Sequence, residues 1–207
     1  MKRLKLLAAL AMIISLAFWD FAEPPKPCVF IHGGLRVPIE NEIGSAFESG
    51  FGFSVALTGT TRVVVNLCTA RHSIISQEGG NKFFYKSYSA SPILVGLQQE
   101  LVGGSRLSAY VAAQGGLLFS GLQDLNVLTF PETTVRQTIP TSVVLRGSAG
   151  AELSLSASFH LYGEAGYSYS RATGATTTYF LSTLAGEQEF RLDLSAVDIH
   201  LGVKYYF

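Results

Sequence analysis

From residue 28 onward hydrophobic and polar residues alternate with a period of two, and no window longer than a few residues sustains the 3.6-residue period of a helix. The segment "SAVDIHLGVKYYF" is the clearest case. Val197, Ile199, Leu201, Val203, Tyr205 and Phe207 fall on one face of an extended strand, with Ala196, Asp198, His200, Gly202, Lys204 and Tyr206 on the other. "CVFIHGGLRVP" sets Val29, Ile31, Leu35 and Val37 against Phe30, His32 and Arg36, and Pro38 closes it. In "SAFESGFGFSVALT", Phe47, Phe51, Phe53, Val55 and Leu57 oppose Glu48, Ser54 and Thr58; in "RVVVNLCTARHSII", Val63, Val65, Leu67 and Thr69 oppose Arg62, Asn66, Cys68 and His72. "PILVGLQQELV", "RLSAYVAAQGGLLF", "TSVVLRGSAGAELSL" and "FHLYGEAGYSYS" complete a set of eight predicted strands.

The connections also alternate. Those after the second, fourth and sixth strands are short, and those after the first, third, fifth and seventh are longer. Three of the longer ones, "SQEGGNKFFYKSYSAS", "SGLQDLNVLTFPETTVRQTIP" and "RATGATTTYFLSTLAGEQEFRLD", read as loops, with part of the last extending strands beyond a membrane. A soluble sandwich gives no reason for all long connections to gather at one end. An outer-membrane barrel does, because its turns are short on the periplasmic side and its loops long on the outside. The prediction is an all-β chain forming a closed antiparallel eight-stranded up-and-down transmembrane barrel over residues 28–207.

Composition decides which face is wet. Charged residues are 14% of the chain, against about 25% in ordinary soluble domains, and mean hydropathy is +0.31. A soluble ligand-binding barrel needs Lys and Glu over its outside. Here the polar positions are often Gly, Ser, Ala, Tyr or Gln, which suit a packed lumen. The one apolar run near transmembrane-helix length, "MKRLKLLAALAMIISLAF", follows three basic residues and reads as a signal peptide over residues 1–22, cleaved near 17 or 22, with 23–27 as a periplasmic lead-in. Zero net charge argues against nucleic acid as a partner. Cys28 and Cys68 are too few for a disulfide scaffold, and their spacing leaves a bridge open.

The inward face then holds the candidate chemistry. Arg62, Glu100, Arg146, Glu152, Glu164, Asp198 and Lys204 are assigned to an ionic network in the lumen, since charges taken out of water must be paired. Arg36 and Glu48 are balanced between that network and a solvated rim. An eight-stranded barrel is just wide enough for side chains to fill it, so no continuous pore is expected. On the outer face Phe47, Phe119, Phe159, Tyr169, Tyr205 and Phe207 gather near strand ends, where interfacial girdles belong.

His32, His160 and His200, on the first, seventh and eighth strands, are the candidates for a metal site, weighed against the plainer role of histidine in buried hydrogen-bond networks. A nucleophile needs a base within reach, and only His160 with Glu164 or His72 with Ser73 offers itself. Neither pair is singled out by the sequence, so no enzyme and no cofactor are expected.

With "GVKYYF" ending in Phe207, "GGLRVP" in the first strand and "SRLSAYVAAQGGLLFSG" after a short turn, the chain resembles the small eight-stranded outer-membrane barrels of the OmpA transmembrane and OmpX-like type. The resemblance implies a bacterial outer-membrane location and contact with outer-membrane lipid. It also implies recognition by the barrel assembly machinery through Val203, Tyr205 and Phe207. A monomer is expected, with an extracellular ligand that the loops do not name. Members of that family range from structural and adhesive proteins through narrow channels to lipid-modifying enzymes. The deacylase branch carries His-x-Ser, whereas the histidines here begin "HGG", "HSI", "HLY" and "HLG". A structural or surface-interaction protein is the first expectation, a narrow channel for small or apolar solutes the second, and a lipid-modifying envelope enzyme the third.

Overall fold

The computed structural model describes residues 26–207 apart from 41–42, 79–81, 105, 123–124, 128–132 and 182. The signal peptide and most of the lead-in lie outside them. The chain forms β1 (Cys28–Pro38), β2 (Ala46–Ala56), β3 (Thr61–Glu78), β4 (Lys82–Gly103), β5 (Leu107–Leu122), β6 (Leu125–Val127), β7 (Thr133–Thr138), β8 (Ser142–Ser154), β9 (Phe159–Phe180), β10 (Thr183–Asp193) and β11 (Ala196–Tyr206).

Eight of these close on themselves in the order β11-β1-β2-β3-β4-β5-β8-β9, with β9 returning to β11. Every pairing is antiparallel, and closure leaves no free edge. The register keeps like faces together: Ile31 lies opposite both Val203 and Phe51, and Ile199 lies opposite both Leu35 and Ala165. The faces are those expected. Leu201 is 72% exposed and Ile31 65%, whereas Asp198, His200 and Glu48 are each 1% exposed. A continuous apolar belt far exceeds the patches that soluble monomers present to water, and hydrocarbon is the solvent it fits.

Aromatic residues mark the ends of the belt. At the end of the short turns Phe159 packs edge-on to Tyr205, and Tyr205 to Phe207, with ring centroids 5.2 and 5.1 Å apart. At the other end, called here the loop end, Arg171 lies over the Tyr169 ring at 5.3 Å. One seam is interrupted. Pro92 has no N–H to give, and the β3–β4 register passes from Leu67/Ile93 to Ala70/Ala90 without pairing Cys68 or Thr69. The Thr69 and Ser91 hydroxyls, 3.3 Å apart, meet across the gap.

The three segments expected as loops all carry strand, and the strand extension allowed for the third is observed. β3 and β4 continue to a Glu78/Lys82 pair. β9 runs on to Phe180 and folds back as β10, while β7 pairs with the other side of the same upper stretch, Val135 against Thr178 and Thr138 against Ala175. With β6 on β7, this makes a second sheet, β10-β9-β7-β6, standing beyond the barrel. The reason lies in what the alternation records. Hydrophobic period 2 marks a strand that faces lipid; above the lipid the ladder persists, carried by β-branched residues such as Thr176, Thr177 and Thr178, without an apolar face to reveal it.

Inside, the barrel is layered. Toward the loop end Leu94, Leu118, Val144, Ile139 and Leu194 form an apolar block. Toward the turn end Cys28, Phe30, Val64 and Tyr162 form a smaller one, with Tyr206 against it. The ionisable residues lie between and below. Both cysteines are buried and free, Cys28 against Ser54 and Cys68 against His32.

Candidate functional site: the filled lumen

Barrel register places the inward residues in rows, and glycines make room for large neighbours. His200 on β11, Gly34 on β1 and Glu48 on β2 share a row, as do His32 on β1, Gly50 on β2 and Cys68 on β3. A Cβ at Gly34 would stand 2.6 Å from His200 Cδ2, and one at Gly50 would stand 2.5 Å from His32 Nε2. Each imidazole therefore lies across the neighbouring strand.

The central cluster is built on two guanidinium groups. Arg36 Nη1 donates to Glu48 Oε2 at 3.2 Å and to Asp198 Oδ1 at 3.1 Å. Arg146 Nη2 pairs with Glu164 Oε1 at 2.9 Å, and its Nε stands 3.6 Å from Asp198 Oδ2. Arg146 Nη2 also donates to His200 Nδ1 at 2.9 Å. A guanidinium can only donate, so His200 Nδ1 is the acceptor in that contact. Nε2 lies 2.9 Å from Glu48 Oε1, too poorly aligned to complete a hydrogen bond. Tyr110 Oη donates to Glu164 Oε2 at 3.1 Å.

A second cluster surrounds Glu152 nearer the turn end. Lys204 Nζ donates to Oε2 at 2.6 Å and Tyr206 Oη to Oε1 at 2.7 Å; His160 Nδ1 lies 2.7 Å from Oε1. Lys204 Nζ also sits over the Tyr110 and Tyr162 rings at 4.7 and 4.9 Å, in cation–π range.

Of the residues assigned to the network, Arg146, Glu164 and Asp198 therefore meet in the centre, and Glu152 meets Lys204 below. Arg62 and Glu100 close no salt bridge among the described residues. Arg62 donates to Ser54 Oγ and the Lys26 carbonyl and lies over Tyr206, at the turn-end rim. Glu100 is half-buried at the same rim, with a β-bulge beside it between Glu100 and Val102. Conversely, Arg36 and Glu48 are fully buried at the centre rather than solvated at a rim. Alternation gives the face, but depth depends on barrel shear, which no single strand reveals.

The three-histidine grouping does not form. His32 and His200 stack with centroids 4.5 Å apart, whereas His160 joins Glu152 and Tyr206. His160 pairs in register with Lys204, four residues along β11 from His200, or about 13 Å of strand. The catalytic pairings do not form either. His160 turns to Glu152 rather than Glu164; His72 Nδ1 meets the Gly44 carbonyl at 2.8 Å, and Ser73 is exposed. Ser154 Oγ and Glu152 both approach the same His160 nitrogen, at 3.3 and 2.7 Å, whereas a proton relay uses two different ring nitrogens. Sequence reading weighed Cys68 only as an inward residue open to a bridge with Cys28, not as a neighbour of His32. Its signal was the inward glycine between His32 and Cys68, which is legible only once strand pairing is known.

A cavity of about 20 Å³ lies among Phe30, His32, Asn66, Gln98, Gln114 and His200, room for about one water.

An antiparallel eight-stranded barrel with an apolar exterior and a paired ionic interior has the fold of the small outer-membrane β-barrels. Solved structures of that class are similar to it throughout their length. The outer membrane protein OprG from Pseudomonas aeruginosa superposes with a TM-score of 0.70 at 14% identity, covering 91% of this chain and 99% of that one. A major outer membrane protein from Thermus thermophilus gives 0.60 at 12% identity, covering 89% and 100%. The outer membrane protein AlkL, determined in DMPC lipid bilayers, gives 0.55 at 14% identity, covering 91% and 93%. No protein-family model matches the sequence, and no curated protein matches it.

Proposed function

We propose that the protein is a bacterial outer-membrane barrel with a closed lumen, serving as a structural or surface-interaction protein through its loop-end sheet. The observation that carries this reading is the stacking of two different seals. The Arg36–Asp198–Arg146–Glu164 cluster spans the centre, and the block of Leu94, Leu118, Val144 and Leu194 lies above it. The cavity of about 20 Å³ at the centre supports a lumen filled by its own side chains. The outward face meets lipid acyl chains, and Val203 and Tyr205 on β11, with Phe207 just beyond it, are the stretch the assembly machinery would engage.

Two measurements test the reading. Heat-modifiable mobility on a denaturing gel, together with recovery in the outer-membrane fraction, is expected; protein free in the periplasm overturns the membrane placement. Purified barrel in planar bilayers is expected to give no discrete conductance steps. Steps in the wild-type protein that vanish when Arg146 or Glu152 is replaced would transfer the assignment to a narrow channel.

A further inference from the structure

We propose that the lumen holds a divalent transition-metal ion of the zinc type, bound by His32, Glu48 and Cys68. Ligand atoms of these three buried residues lie within 4.8 Å of one another, so small side-chain adjustments bring them around one ion at the usual metal–ligand lengths of about 2.0–2.3 Å. They come from three consecutive strands, β1, β2 and β3, and so require only local register. Thiolate, imidazole and carboxylate together favour a borderline-soft ion over magnesium or calcium, which take oxygen ligands.

Three further features support the assignment. Gly50 is the cradle: it stands between His32 and Cys68 in the same row, and a Cβ there would occupy the space into which His32 Nε2 reaches. The neighbouring His200 Nε2 stands 2.9 Å from Glu48 Oε1 without hydrogen-bond alignment, and His32 Nδ1 also has no hydrogen-bond partner among the described residues; both residues are buried. Charge is the third. Arg36 and Arg146 face Glu48, Asp198 and Glu164, so the central cluster is one positive charge short. A divalent ion arriving with the Cys68 thiolate supplies that charge. Cys68 loses its S–H proton to solvent as the metal–sulfur bond forms, with no change of oxidation state. The fourth position belongs to a water from the adjoining cavity.

The test uses the folded full-length chain in detergent and cobalt(II) as the probe, added either during folding or afterwards. One cobalt per chain is expected, with a thiolate-to-cobalt charge-transfer band that zinc abolishes by displacement. Cys68→Ser should remove the band and Cys28→Ser should leave it, while His32→Gln and Gly50→Ala should each weaken binding at least tenfold. Heat-modifiable mobility establishes that each variant is folded. A wild-type protein that shows no thiolate band under either order of addition overturns the proposal. So does a band that survives Cys68→Ser. Should Cys68→Ser not fold, the wild-type spectrum and His32→Gln decide the matter: unchanged affinity in His32→Gln also overturns it.

Discussion

The side chains in the two halves of the lumen hold together by different physics. Toward the loop end Leu94, Leu118 and Val144 do so by packing, and each is 2% exposed or less. At the centre Arg36 and Arg146 do so by pairing with Glu48, Asp198 and Glu164. A packed block that loses a methyl group keeps a smaller version of itself. An ionic block that loses one partner keeps an unpaired charge away from water, so the same-sized deletion costs more.

Breaking that comparison starts with Arg146→Ala, which strands Glu164 and leaves Asp198 with Arg36 alone. A loss of about 4 kcal/mol is expected, read as a lower urea midpoint for unfolding from lipid vesicles. Leu118→Ala in the apolar half should cost about 3 kcal/mol in the same assay. If it costs more than Arg146→Ala, the ranking of the two seals is wrong. Glu152→Gln is expected to cost about 2 kcal/mol, because Lys204 can settle on the Tyr110 and Tyr162 rings and the amide still accepts from Tyr206. Thr176→Ala in the outer sheet, where Thr176 Oγ1 accepts from Gln137 Nε2, should change stability by less than about 0.5 kcal/mol.

The smallest effect is one of pH. Hydrogen bonds from Ser195, one of them from its backbone N–H at 3.0 Å, hold the Asp193 carboxyl below its usual range beyond the apolar belt. A carboxyl whose folded pKa is depressed stabilises the fold above its unfolded pKa, and that support is lost as pH falls through the lowered value. The Ser195 amide resonance should shift in that acidic window, and in Asp193→Asn it should not.

How far the sequence was legible follows from what each signal encodes. The eight-stranded barrel was readable because lipid contact imposes an apolar residue at every second position, from Val29 to Tyr205. The outer sheet was not, since β10 and the top of β9 meet no lipid. Inward residues such as Arg146 and Asp198 were assigned to the right face, but their partners depend on shear between strands. Hence Arg36 and Glu48 stand at the centre, while His160 stands well below His200. Glycines at inward positions, Gly34 and Gly50, were the overlooked clue, since each marks where a neighbour's ring lies across the strand.

The length of β9 sets a mechanical relation between inside and outside. One unbroken strand carries Glu164, which holds Arg146, and continues through Arg171 to Phe180 at the tip of the outer sheet, roughly 50 Å along the strand from Glu164. The tip is thus a mast stepped in the ionic floor of the barrel. A peptide displayed between β9 and β10 would be held at a fixed height and azimuth over the membrane, and a pull on it would load the β9–β10 and β9–β7 ladders before it reached the pair at the mast's foot.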